Sequence, residues 1–172
     1  MKTVRVEVLP YDPSWKEEYE KIKGEIVAAL GELIEGIEHV GSTSVEGLCA
    51  KPCIDIDVVI GDESMLGAVI EALGAIGYIH EGDLGISGRE AFGYSDKPHL
   101  FKHHLYVCPR SSDELHRHIT FRELLRSDSE AREKYAEVKM TAAGLYPNDI
   151  DGYIEYKSQC IREIYRLCGL EK

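Results

Sequence analysis

Two aspartates, Asp55 and Asp57, stand at i and i+2 within Ile54-Asp55-Ile56-Asp57-Val58, interleaved with branched apolar residues. Strand alternation sends both carboxylates to one sheet face and the three apolar side chains to the other. The carboxylates then lie only about 6.6 to 6.8 Å apart along the strand and repel one another unless a cation or basic group sits between them. A hard, oxygen-seeking ion such as Mg2+ suits that pair. The spacing alone describes equally well the polar face of a half-solvated sheet. What distinguishes it is the upstream turn Gly41-Ser42-Thr43-Ser44, because successive backbone N–H groups at a helix start can hold a phosphate oxygen. A metal site and a phosphate site are therefore neighbours in the chain.

Several basic and sulfur residues bear on the same chemistry. Lys51, just ahead of Pro52 and the carboxylate strand, is placed to meet a phosphate or pair with Asp55, an ordinary surface lysine being the alternative. His39 flanks the turn, as a ligand or as a hydrogen-bonding residue at the edge of the core. Arg122, Lys139 and Lys157 lie in helical segments, where their cationic heads can either reach a bound phosphate or stay solvated. Tyr153 and Lys157, at i and i+4, share a helix face. His116 and His118, at i and i+2, do not, which argues against a joint metal site. Cys49 and Cys53 have the spacing of half a zinc knuckle, but no second pair accompanies them, so both read as small packing residues.

The elements that must position these residues follow from periodicity. Residues 3 to 9 alternate branched apolar with polar side chains up to Pro10, the pattern of an edge strand. Trp15, Tyr19, Ile22, Ile26 and Leu30 recur at helical spacing in a segment running to about Ile34, which Gly36 closes. Strands are expected over 53–60 and 100–107, a helix over 63–76, a short extended piece at 78–80 and a hairpin arm at 89–94. From residue 113 the chain becomes helical, with segments 113–127, 129–145 and 150–168 separated by Ser/Asp and Pro147-Asn148 breaks. The order implies an α+β fold, a mixed sheet with packed helices, in one domain over 1–172 whose helical part starts at about 112.

Composition narrows the function classes. Acidic residues outnumber basic ones 31 to 20, and the formal charge of -11 opposes general nucleic-acid binding. No apolar run suits a signal peptide or a membrane span, so a cytoplasmic location and no membrane partner are expected. Five scattered cysteines read as reduced thiols.

Val40-Gly41-Ser42, twelve intervening residues and Asp55-Ile56-Asp57-Val58 resemble the signature of the polymerase-β-like nucleotidyltransferase superfamily. The fuller string from His39 to Asp57 resembles the GrpB family more narrowly. Further matches to that family are His103-His104-Leu105-Tyr106-Val107, Phe121 to Arg126, Tyr135 with Lys139, and Tyr153 with Lys157. The resemblance spans nearly the whole chain. It implies a nucleotidyltransferase-like mixed sheet in which Gly41 and Ser42, with Thr43 and Ser44 of the same turn, bind the triphosphate of a nucleotide donor. It also implies that Asp55 and Asp57 bind divalent ions, a pair of which about 3.5 to 4 Å apart can clamp attacking and leaving oxygens.

Superfamily members usually add a third carboxylate from a later strand. Here that strand presents Lys102, His104 and Tyr106 on one face and no acidic residue. His104 thus stands as a nitrogen ligand or a base, which favours Mn2+ or another transition ion over Mg2+. The expected catalytic and metal set is Asp55, Asp57 and His104; the expected phosphate set is the turn with Lys51, Arg122, Lys139, Tyr153 and Lys157. The activity implied is transfer of a nucleotidyl group from an NTP to an unidentified acceptor. The alternative is a catalytically silent nucleotide- or coenzyme-A-related module, since GrpB-like domains also occur fused to dephospho-coenzyme A kinases.

Overall fold

The computed structural model describes residues 5–170. Strands β1 (Gly36–Val40), β2 (Ile54–Ile60), β3 (Ile79–Gly82), β4 (Glu90–Gly93) and β5 (His103–Pro109) form a mixed sheet in the order β1-β2-β5-β4-β3. β2 runs parallel to β5, and the other neighbouring pairs are antiparallel. Helices α1 (Ser14–Leu30) and α2 (Leu66–Ala75) precede a helical third made of α3 (Asp113–Ser127), α4 (Ser129–Leu145) and α5 (Ile150–Leu167). This is the α+β arrangement expected from the order of elements.

β2 fixes which face is which. Ile54, Ile56, Val58 and Ile60 are all fully buried and pack with Leu105 and Val107 of β5 against Trp15, Ile22 and Ile26 of α1 and Val69 and Leu73 of α2. Each such aliphatic side chain gains about 1.5 to 3 kcal/mol on burial. A one-residue slip would expose this row and push Asp55 and Asp57 into the core, so the register is strongly held. The opposite face carries Cys53, Asp55 and Asp57. Beyond it, Val45 and Leu48 of the turn region join Leu125, Ala131, Tyr135, Cys160 and Ile164 of the helical third in a second core. The polar face of the sheet therefore meets the helices across a cleft.

Three expectations need correction. The edge strand at 3–9 does not form: residues 3 and 4 lie outside the described residues, and the rest makes only a bridge between Leu9 and Ala50. Val6 instead donates to the Pro147 carbonyl and packs with Ala142 and Tyr153, so its alternation reflects a helical surface rather than a sheet. The first helix stops at Leu30, where Gly31 turns to φ 52° and its N–H bonds back to Val27; Gly36 opens β1 instead. The turn after β1 makes only a short 3-10 helix, Ser42–Ser44. The breaks in the helical third do what Ser and Asp do at helix starts: Ser112, Asp128 and Asp149 cap α3, α4 and α5.

Candidate functional site

In β2 every second side chain from Cys53 faces the cleft, so a thiol and two carboxylates stand in one row. The parallel register sets Asp55 beside His104 and Asp57 beside Tyr106. His104 Nδ1 and Asp55 Oδ1 are 2.9 Å apart. Hydrogen bonds to Asp55 and then to Cys53 hold the imidazole protonated and lift its pKa to about 10. One ligand atom each from Cys53, Asp55 and His104 falls within 4.8 Å of the others. His103, on the opposite face, bonds Tyr78 Oη at 2.7 Å and takes no part.

Asp57 is fully enclosed. Its Oδ2 pairs with His118 Nδ1 at 2.6 Å, while Oδ1 is buried with no partner among the described residues. Burial pulls the His118 pKa down, but the bond and charge of Asp57, with Glu114, outweigh it and the net shift is upward. An orphaned carboxylate oxygen is costly to bury. Asp57 contributes no ligand atom to the Cys53–Asp55–His104 group.

Gly41 is required twice in the turn. Its φ is 73°, the left-handed region, and a Cβ there would run into the Asp55 carboxylate. The turn and the carboxylate are thus in van der Waals contact because Gly41 lacks a side chain. Ser44 Oγ donates to the Gly41 carbonyl at 2.5 Å. His39 stacks on Tyr19 at 4.5 Å and bonds Thr43 Oγ1 at 2.9 Å. Burial lowers its pKa to about 4, so it is neutral at pH 7.

A cavity of about 90 Å³ lies between sheet and helices, lined by Ser42, Thr43, Lys51, Cys53, Asp55, His104, Lys139, Tyr153 and Lys157. Lys139 is 2% exposed and donates to the Cys49 carbonyl at 2.6 Å. Burial, then the charge of Lys157, brings its pKa to about 7. Burial and Lys51 bring Lys157 to about 8. The Tyr153 ring lies 4.7 Å from Lys157 Nζ and 5.8 Å from Lys51 Nζ. Among the described residues, none of these lysines forms an ion pair. Three cations gathered around the single carboxylate of Asp55 leave an excess of positive charge that suits a polyanion.

Not every expected residue joins them. Arg122 is held by Glu38 at 2.7 Å, Glu123 at 2.9 Å and the His39 carbonyl at 3.0 Å, beside β1 and away from the lysine cavity. Ser44, with His39 and Arg126, lines a separate cleft of about 480 Å³ that Asp55 does not reach. A third cavity of about 220 Å³ shares Asp55 and Gly41 as its wall and adds Arg89, Tyr106, His118, Phe121 and Tyr165. There the Arg89 guanidinium sits 4.2 Å from the Tyr106 ring centre, and its Nε is buried without a partner.

Cys53, His118 and Arg89 were not among the residues expected at this site. Cys53 had a readable signal, since it is in phase with Asp55 and Asp57 on the strand. The absence of a joint site with His116 left open that His118 alone reaches Asp57, and no local pattern couples α3 or β4 to β2.

The family model described as GrpB protein matches residues 5–167. The glutamate-rich protein GrpB of Alkalihalophilus pseudofirmus is 33% identical over 162 residues, covering 91% of this chain and 92% of that protein. The chain spans 46% of the length of another curated relative, the UPF0157 protein YqkA of Bacillus subtilis, to which it is 30% identical over 158 residues. The crystal structure of the conserved protein GrpB from Enterococcus faecalis superposes with a TM-score of 0.79 and 29% identity, covering 94% of this chain and 98% of that one. The Cid1 poly(U) polymerase with bound MgGTP superposes at a TM-score of 0.56 and 13% identity, over 80% of this chain and 44% of its own. That likeness is one of fold alone: the mixed sheet and its helices have a nucleotidyltransferase-like arrangement.

Proposed function

The chain belongs to the GrpB family, and from that membership we propose that it is a divalent-metal-dependent nucleotidyltransferase, moving a nucleotidyl group from an NTP to an acceptor. The observation that carries this reading is that Asp55 is a wall common to two cavities, one lined by three lysines and one by Arg89 and aromatic rings. Such a carboxylate stands where a donor phosphate and an acceptor would meet.

In this reading Lys51, Lys139 and Lys157 take the phosphates of the donor, and Ser42 and Thr43 line the same cavity from the turn. Lys139, tied to the Cys49 carbonyl, is the fixed member of the three. Asp55 and Asp57, with His104 in place of a third carboxylate, would hold Mg2+ or Mn2+. A bound divalent ion would supply Lewis-acid polarisation and charge neutralisation at the phosphorus. His118 holds Asp57 Oδ2, which leaves the buried Oδ1 as the oxygen that an ion would have to reach. Phe121 and Tyr165, beside Arg89 and Tyr106, offer apolar and cationic surface to an acceptor.

The test is transfer of label from isotope-labelled NTPs with Mg2+ or Mn2+, on the parent chain and on Asp55→Asn and Asp57→Asn. Each substitution should cost about a hundredfold or more, the scale of losing one contact to transition-state charge. Transfer untouched by both would sink the reading. The second reading, a nucleotide- or coenzyme-A-related binding module without turnover, is favoured by two observations: β5 brings no carboxylate, and Asp57 is already bonded to His118. Titration calorimetry would then give nucleotide or coenzyme A binding with no product under any metal.

A further inference from the structure

We propose that Cys53, Asp55 and His104 form a site for a thiophilic transition ion of the Zn2+ class, with one coordination position open to the lysine cavity. This rests on the reading above that Asp55 holds a metal, puts a thiophilic ion there in place of Mg2+ or Mn2+, and is tested without turnover. Strand alternation and the β2–β5 register set the three donors side by side, and their ligand atoms lie within 4.8 Å of one another. Donors 2.0 to 2.3 Å from a tetrahedral ion are roughly 3.3 to 3.8 Å apart, so small side-chain rotations close the set.

The donor chemistry selects the ion. Mg2+ and Ca2+ take oxygen donors, whereas a thiolate with an imidazole and a carboxylate suits Zn2+, Co2+ or Fe2+. Thiolate and carboxylate together neutralise a dication, and His104, releasing its proton on ligation, adds no charge. Three protein ligands leave a fourth position, the form of a site that binds a water or a substrate oxygen. All three donors line the cavity that Lys51, Lys139 and Lys157 also line, so a phosphate held by the lysines can reach that position. Ligation would replace the 2.9 Å His104–Asp55 bond and the Cys53–His104 bond with bonds to the ion; apart from these, Cys53 Sγ makes a 4.0 Å contact with the Ile54 carbonyl, and about half of the His104 side chain is exposed.

The experiment uses the full chain, stripped of metal by chelator and titrated with Zn2+ by calorimetry and with Co2+ by absorption. One ion per chain is expected, and the Co2+ form should show a sulfur-to-cobalt charge-transfer band with intense d–d bands of four-coordination. Cys53→Ser should abolish the charge-transfer band. Since removing even an outer-shell partner costs 10- to 100-fold, losing this ligand should weaken Zn2+ binding by about a hundredfold or more. His104→Gln, at a half-exposed position that does not threaten folding, should weaken Zn2+ while the sulfur band persists. Cys160→Ser, a thiol in the second core and outside the cavity lining, should change neither. No sulfur band in the parent, or a band that survives Cys53→Ser, overturns the site. A band without nucleotidyl transfer would keep the site and remove the transferase reading. Mg2+-dependent transfer with no band and no effect of Cys53→Ser would do the reverse.

Discussion

At the scale of single residues, the geometry of the site turns on an absent side chain. Gly41 holds a positive φ and lets the Asp55 carboxylate sit where a Cβ would be. Gly41→Ala should therefore cost about 1 to 3 kcal/mol, from backbone strain and from displacing Asp55. Gly24, an exposed position in α1 with open space around it, should behave in the opposite sense, Gly24→Ala stabilising by roughly 0.5 to 1 kcal/mol through helix propensity. Thermal unfolding of the two variants checks both signs, and equal shifts would contradict the close approach at Gly41. The types and spacing of Gly41, Ser42, Asp55 and Asp57 made this part of the site legible in the sequence, because the signal lies within two short segments. The partners of the carboxylates were less so. His104 is legible through strand phase, but His118 reaches Asp57 from a helix 61 positions away, and only the packing of α3 on the sheet brings them together.

Among the elements, the sequence was most informative where local chemistry decides the outcome. Ser112, Asp128 and Asp149 mark the three helix starts because each offers an oxygen to an amide that the helix leaves unpaired. It was least informative where tertiary packing overrides a local pattern: residues 5–9 alternate like a strand, yet pack on the helical third. Ser112 also shows how one element positions another. Besides capping Leu115, its hydroxyl donates to the Gly88 carbonyl at 2.6 Å, tying the start of α3 to the loop that carries Arg89 into β4. Ser112→Ala should cost about 1 to 2 kcal/mol, the range of a lost cap. It should also speed amide exchange around 88–90 more than in β5. Faster exchange confined to the first turn of α3 would show that the tie to Gly88 is unimportant.

For the whole molecule, the arrangement sets a chain of net charge -11 around a cavity in which Lys51, Lys139 and Lys157 face one carboxylate, Asp55, and form no ion pair among the described residues. Holding these cations together out of water opposes folding, and the lowered pKa values of Lys139 and Lys157, about 7 and about 8 against an ordinary 10.5, record that cost. The sign for stability follows from proton counting. Below pH 7 both lysines are charged in folded and unfolded chains alike, and the cost is present in full. Between pH 7 and about 10.5 the unfolded chain binds more protons, so these groups make the protein more stable as pH rises, by an amount on the order of several kcal/mol across the window. An anion in the cavity reverses the slope, because it is held by the charged forms. Tripolyphosphate at a hundred times its dissociation constant should add about 2.7 kcal/mol near pH 6. That increment should shrink as pH passes through 7 and 8 and the lysines lose their protons. Denaturation curves at pH 6 and pH 9, with and without the anion, test both slopes at once. The free chain should gain from these groups over the interval in which the bound chain loses its advantage. Lys139→Met, keeping the volume and removing the charge, should flatten both, since α4, α5 and the β2 face would then meet with one buried cation fewer. An anion increment that stays constant from pH 6 to pH 9 would mean that polyanions bind elsewhere on the surface, and that the cleft between sheet and helices is not where phosphate is held.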